Sequence, residues 1–499
     1  MKSSPYRARF ISTSLIALVI LAFAISAAAQ LAPARVQLAA SAVPGQSAPP
    51  EAVASPASAL CAACVRENLE YLAGPKLHGR GSGTIDEYLA AEFIARKLEQ
   101  YGVAPAAENG QYIQTASLQS RAVTKAPVLS FDMGDSASPR TIAWTHGKEI
   151  AAFRLSEPNV QGPLQKLDLI VATPSPNSVR DSAVVLLKLK PETSRKDFQG
   201  MLGPYLHSKA AMVIVPVFPA AKATFERLAK EMPKAGVKMG NAPLGPDVIF
   251  ARPEATERLW ALPDGTFIKL HSAMTSWKTS HTWNVLGKIV GTNEKDQVVL
   301  LSAHLDHLGV KDGRTYPGAD DDASGTVAVM ELAHALVAGP KPSRTVVFAL
   351  WGSEETGMIG SGYFLKNPTF ALKNIVANLE FEMIARPDPK LERDQLWLSG
   401  WERTDLGPEL ADHGAKLVGD PHPDQNFFAR SDNYPLAKEG IVAQTVSSYG
   451  LHKDYHQPTD TLAKVDWQHL DSAIGSMIGP VTWLVNSAFA PQWNNGQRP

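Results

Sequence analysis

Cysteine is almost missing from this chain: 499 residues contain two, Cys61 and Cys64, in C-A-A-C. A zinc ribbon needs a second pair, and a thioredoxin-like redox site needs a neighbouring βαβ unit; the sequence offers neither. In an oxidising compartment the pair reads as a small local disulfide at a helix start. Excess charge of either sign is also missing. There are 48 Lys and Arg against 49 Asp and Glu, a formal net charge of -1. No basic surface for nucleic acid is expected, and no charge run is long enough to form a tail. The Gly-rich stretch L-H-G-R-G-S-G-T at 77–84 is not a phosphate loop, because no Gly-Lys-Ser/Thr follows. Beyond residue 29 no apolar run is long enough to span a membrane.

The balance that remains is globular, 44% hydrophobic and 19% charged, on a chain long enough for roughly two or three domains. Lys2, Arg7 and Arg9 precede an apolar run at 11–25, broken by Ser12, Thr13 and Ser14, and Ala27, Ala28 and Ala29 follow. This predicts a signal peptide over 1–29, export to the periplasm or the medium, and no stable membrane insertion after cleavage. Residues 30–59, rich in Ala, Pro, Ser, Val and Gln, read as a disordered linker. Residues 60–120 carry an amphipathic helix, with Leu89, Phe93, Ile94, Leu98 and Tyr101 at helical spacing and Gly102 as its stop.

From 121 to 275 the texture changes to short β-like runs at 141–144, 169–172, 184–189 and 212–217, with a helical pattern at 221–232. No cluster of His, Asp or Glu has ligand spacing there, and the region reads as a separate β-rich domain inserted in the chain. From 276 to 490 strand patterns at 283–290, 298–303, 345–351, 374–381 and 441–446 alternate with helical ones. That alternation predicts an α/β domain with a mostly parallel central sheet. In such sheets ligands bind beyond the carboxyl ends of the strands.

The chemistry-bearing residues fall at those ends. His304 and Asp306 close the apolar run V-V-L-L, two apart and so on one side of a strand. Asp320, Asp321 and Asp322 follow at a Gly-rich turn, ahead of a helical pattern at 324–337 with Val327, Met330 and Val337 along one side. One acid at a helix start would be a cap; three beside a His-x-Asp point to metal. Glu354 and Glu355 come directly after T-V-V-F-A-L-W, and Glu380 and Glu382 sit in N-L-E-F-E-M-I. Tyr455 and His456 lie in H-K-D-Y-H-Q-P-T-D-T. Buried carboxylates are costly unless paired or metal-bound, and a divalent cation lets several converge. Imidazole with carboxylate and no thiol suits zinc, and manganese or cobalt less often. Two histidines and three acids suffice for two ions sharing one Asp and a water or hydroxide nucleophile. One carboxylate must then stay unligated as base.

In that order, His-x-Asp, G-A-D-D-x-A-S-G, Glu-Glu, an acid before Met, and a late Y-H-x-x-x-D, the clusters resemble the co-catalytic di-zinc exopeptidase family. That family includes secreted bacterial aminopeptidases, glutamate carboxypeptidase, glutaminyl cyclase and transferrin receptor. The resemblance also takes in N-V-L-G at 284–287, the loop at 77–84, and Y-G-V-A-P and Q-Y-I-Q, and spans roughly 65–118 and 280–465. It implies a phosphorylase/aminopeptidase-like three-layer fold, two Zn2+ per chain and peptide substrates. It implies His304, Asp321 and Glu382 on one zinc, and Asp321, Glu355 and His456 on the other. Glu354 would be the general base, Asp306 the partner of the His304 ring, and Tyr455 a donor to the oxyanion. The family commonly has Asp where this chain has Glu382, and Glu380 is a rival two residues earlier. Asp320 and Asp322 are expected as caps or supports, and His307 and His452 as neighbours of ligands. Arg430, Ser431 and Asp432 resemble the family's substrate-side loop. The insert at 121–275 occupies the place of a protease-associated domain. Aminopeptidase activity is expected, with carboxypeptidase or dipeptidase as the alternative. Glutaminyl cyclase, which uses one zinc, and a receptor that has lost its ligands fit the intact set less well.

Overall fold

The computed structural model describes residues 60–133 and 140–499. The expected signal peptide at 1–29 and linker at 30–59 lie outside the described residues. Among these, no helix is long and apolar enough to cross a membrane.

The apolar runs of the second half become the middle of a ten-stranded sheet. Glu294–His304 lies between Arg344–Trp351 and Ile375–Phe381, parallel to both, and Ala443–Ser447 extends the parallel group beyond Ile375–Phe381. Antiparallel strands flank this centre: Lys278–Ile289 and Ile113–Ser120 on one side, Leu396–Leu398 on the other. All eight residues of Arg344–Trp351 are buried, as expected for a strand covered on both faces. Alternation along Glu294–His304 assigns the two faces. Val299 and Leu301 join one core with the helices Ile85–Tyr101, Gly325–Ala338 and Trp467–Asn486. Val298 and Leu300 join the opposite core with Phe364 and Leu436, from the helices Ile359–Lys366 and Asn433–Lys438. The result is the expected three-layer α/β arrangement. Ile85–Tyr101 ends where Gly102 takes a left-handed φ of 86°, a conformation that Gly adopts without steric cost. Cys61 and Cys64 form a disulfide at the start of the helix Ala62–Leu72.

A second, nine-stranded sheet uses strands lying between Val123 and Met274. Its own cores include Val185, Phe198 and Phe250 on one side and Leu129, Ile214 and Ile268 on the other. Lys238–Met239, from the same stretch of chain, leaves this sheet and pairs with Ile113–Ser120 as an edge strand of the main sheet. The run at 169–172, expected as a strand, is a turn in which Val171 is 82% exposed. The strand is instead Asn159–Asp168, whose pairing with Val184–Lys188 stops at Asp168. Past that point only Leu169 N–H still reaches the neighbouring strand, at Lys188, and the N–H groups of Ile170 and Ala172 turn back to Asp168.

Candidate metal centre and active site

Parallel register brings three strand ends together. His304 pairs with Trp351 across the sheet, so His304 and the loop carrying Glu354 and Glu355 start at the same level. Glu382 follows the last residue of Ile375–Phe381. Asp321 enters from the turn before Gly325–Ala338, across a cis peptide bond to Asp322. His456 arrives from the loop after Ala443–Ser447.

These residues form two groups that share Asp321. His304, Asp321 and Glu382 offer ligand atoms within 4.8 Å of one another, and so do His307, Asp321 and Glu355. His304 Nε2 is 3.3 Å from Asp321 Oδ1, and His456 Nε2 is 2.9 Å from Asp321 Oδ2 and 3.2 Å from Glu355 Oε1. His304 Nδ1 donates to the main-chain carbonyl of Asp306 at 3.1 Å, which directs Nε2 at Asp321. His304 Nε2, Asp321 Oδ2 and both Glu355 oxygens are buried and have no hydrogen-bond partner. Orphaned buried acceptors are costly, and their convergence with imidazoles fits a divalent cation in the zinc class.

The field inside the cluster separates its members. Burial alone would raise the Asp321 carboxyl, yet the facing His307, His304 and His456 hold it well below the usual range. His456 would be lowered by burial but is held at about 9 by Glu355 and Asp321. Glu354 is pushed well above the usual carboxylate range by burial, with Asp432, Glu355 and Glu382 adding repulsion. Tyr455 is raised well above 10 by burial, so its hydroxyl keeps its proton; its ring stacks on His456 at 3.9 Å.

One expectation needs correction. The Asp306 carboxylate does not hydrogen-bond the His304 ring: it lies 3.8 Å from Nδ1. It accepts instead from the Glu354 main-chain N–H at 2.9 Å and from the Ser82 hydroxyl, because the Asp306 carbonyl already occupies the ring nitrogen. His307, expected as a neighbour of ligands, has its Nδ1 2.7 Å from Glu355 Oε1. The rival acid Glu380 stays on its strand and accepts from the Ser302 hydroxyl, while Glu382 beyond the strand end joins His304. Asp322 caps the helix, accepting from Gly325 N–H at 3.0 Å, and also from Met383 and His304 main-chain N–H groups. Asp320 accepts from Ala385 N–H and pairs with His452 at 2.8 Å.

Three supports escaped sequence reading. Asp460, the last letter of Y-H-x-x-x-D, accepts from the main-chain N–H groups of Asp320 and Asp321. Arg80, between two glycines, is wholly buried and donates to the carbonyls of Leu305, Leu72, Pro317 and Gly318. Glu87 accepts from Gly83 and Ser353 N–H groups and from the Thr282 hydroxyl. The only local signal was an Arg and a Glu in or near a Gly-rich loop.

Beside the Glu382 group is a pocket lined by Met383, Trp397, Phe427, Tyr449, Tyr455 and Arg430. The Arg430 guanidinium lies 4.8 Å from the Phe427 ring centroid and 3.4 Å from the Tyr455 hydroxyl. Asp432 is not part of the pocket lining and accepts from the Ser361 hydroxyl.

Residues 284–479 match Peptidase family M28. A probable lipoprotein aminopeptidase, LpqL, from Mycobacterium tuberculosis is 32% identical over 237 residues, covering 40% of this chain and 44% of that protein. Leupeptin-inactivating enzyme 1 from Streptomyces exfoliatus is 38% identical over 194 residues, covering 36% and 43%. The chain thus spans less than half the length of these relatives. The fold of both sheets recurs in an aminopeptidase from Aneurinibacillus sp. strain AM-1. The TM-score is 0.54 at 17% identity, covering 86% of this chain and 95% of that one.

Proposed function

We propose that the chain is an exported, zinc-dependent exopeptidase that removes N-terminal residues from peptides. The observation that carries this is the pair of ligand groups sharing Asp321, with buried donor atoms left unsatisfied. Aminopeptidase relatives and the M28 match support the reaction class. The basic and apolar residues at 1–29 support export. The second sheet, with strands between Val123 and Met274, supports reading 121–275 as an inserted protease-associated-like domain.

His304, Asp321 and Glu382 would hold one zinc, and Asp321, Glu355 and His456 the other. Bound there, the two ions would activate water and polarise the scissile carbonyl. Glu354, whose buried carboxylate has a raised proton affinity, would take a proton from the attacking water and deliver it to the leaving amine. The Tyr455 hydroxyl donates to the oxygen that gains charge. Met383, Trp397, Phe427 and Tyr449 exclude water from the substrate side chain. Arg430 at the same pocket favours a second reading, carboxypeptidase, in which its guanidinium takes a substrate carboxylate.

A substrate panel with free and blocked termini, assayed on periplasmic and medium fractions, separates the two. The expected result is cleavage that requires a free N-terminus, disappears with a chelator and returns with zinc. Cleavage that requires a free C-terminus would establish the second reading, and chelator-resistant cleavage would remove both.

A further inference from the structure

His307 lies three residues beyond His304, and its ring is fully buried. Its backbone is held on both sides: N–H donates to the Arg80 carbonyl at 3.0 Å, and its carbonyl accepts from Ser82 N–H at 3.3 Å. Gly318 closes against the ring so tightly that a Cβ there would sit 2.5 Å from a ring carbon. The imidazole therefore has one place to be, edge-on to His456 with ring centroids 5.6 Å apart.

Its Nδ1 is 2.7 Å from Glu355 Oε1, yet neither atom makes a hydrogen bond, because the approach is not along an N–H direction. A supporting histidine would aim its N–H at the carboxylate. These two atoms instead flank a common point. Asp321 Oδ2 and His456 Nε2 complete the surround: His307 Nδ1 is 3.9 Å from Asp321 Oδ2, and His456 Nε2 is 2.9 Å from Asp321 Oδ2 and 3.2 Å from Glu355 Oε1. Donors at zinc distances of ~2.0–2.1 Å in a tetrahedron lie about 3.3 Å apart, and the four measured separations bracket that value.

We propose that His307, through Nδ1, is a fourth protein ligand of the ion held by Asp321, Glu355 and His456. This rests on reading the cluster as a two-metal centre, and it adds a sixth ligand to the five that the resemblance supplies. The two halves of the centre then differ in kind. The Asp321, Glu355, His456 and His307 set has four protein ligands and takes a further oxygen only by expanding to five-coordinate. The His304, Asp321 and Glu382 set keeps an open position, as in catalytic zinc sites.

The test is metal binding by the full chain. Wild type is expected to hold two zinc ions. His307→Ala should weaken one of them by more than ~100-fold in chelator competition, beyond the ~10–100-fold that loss of an outer partner costs. His307→Cys loaded with cobalt(II) should show a thiolate-to-cobalt charge-transfer band in the near ultraviolet. The native cysteines are paired in a disulfide and do not supply one. Two ions of unchanged affinity in His307→Ala, or a folded His307→Cys without the band, overturns the assignment while leaving the two-metal reading intact. Wild type binding fewer than two ions overturns the two-metal reading itself.

Discussion

Glu354 and Glu355 are adjacent in sequence and opposite in setting. Glu355 would be raised by burial, but the facing His456 and His307 hold it well below the usual carboxylate range, while burial among other acids pushes Glu354 well above it. Titratable neighbours driven apart in this way divide into ligand and proton carrier. Glu354→Gln keeps size and hydrogen bonding and removes the base. Turnover is expected to fall ~10²–10⁴-fold with KM little changed and two zinc ions retained by metal analysis. Turnover close to wild type would take the proton transfer away from Glu354. The same scale explains the acids that sequence spacing left open. Glu380 and Glu382 share one side of an extended segment, and only the end of the strand at Phe381 separates them, letting Glu382 turn toward His304 while Glu380 stays beside Ser302.

At the scale of elements, the loop at 77–84 ties the amino-terminal segment to the site. One guanidinium, Arg80, bonds the carbonyls of Leu305, Pro317 and Gly318 in the loops around His304 and Asp321, and that of Leu72 at the end of the helix Ala62–Leu72. A buried cation is tolerated only when its donors are satisfied. Arg80→Met removes all four bonds and leaves four carbonyls to find other donors. The expected cost is ~3–5 kcal/mol in urea unfolding of the metal-loaded protein, and Arg80→Lys, with a point-like head, should recover little of it. A loss under about 1 kcal/mol would mean that the loop is held by other contacts.

At the scale of the whole molecule, the second sheet carries a buried charge of its own. Asp247 is raised from the ordinary value to about 6 by burial, against hydrogen bonds from Ser156 and the charge of Arg154. A carboxyl whose folded value lies above its unfolded one favours the folded state most at low pH. Its contribution declines as pH rises from about 4 through about 6, then levels off. The size is about 3 kcal/mol. Comparing wild type with Asp247→Asn by urea unfolding, the variant should gain that much relative to wild type between pH 4 and pH 7. Parallel stability curves would show that Asp247 is not ionised at a cost in the fold.

The strands and helices around the main sheet were legible in sequence because their signals are local. Apolar runs such as V-V-L-L and V-V-F-A-L-W are buried on both faces, and the 3.6-residue repeat before Gly102 belongs to one amphipathic helix. The order of the acidic and imidazole clusters was legible for the same reason, each falling at the end of a recognisable strand. Their partners were not. Which of three aspartates bridges, which of two glutamates reaches His304, and that His307 faces Glu355 all depend on side-chain direction in irregular backbone past the strand ends. Nothing periodic encodes that direction. Arg80 likewise meets Leu305 and Gly318 from more than 200 residues away. Composition and spacing therefore determined the fold class and the kind of site, while the packing of strand ends and loops against one another decided which atoms converge.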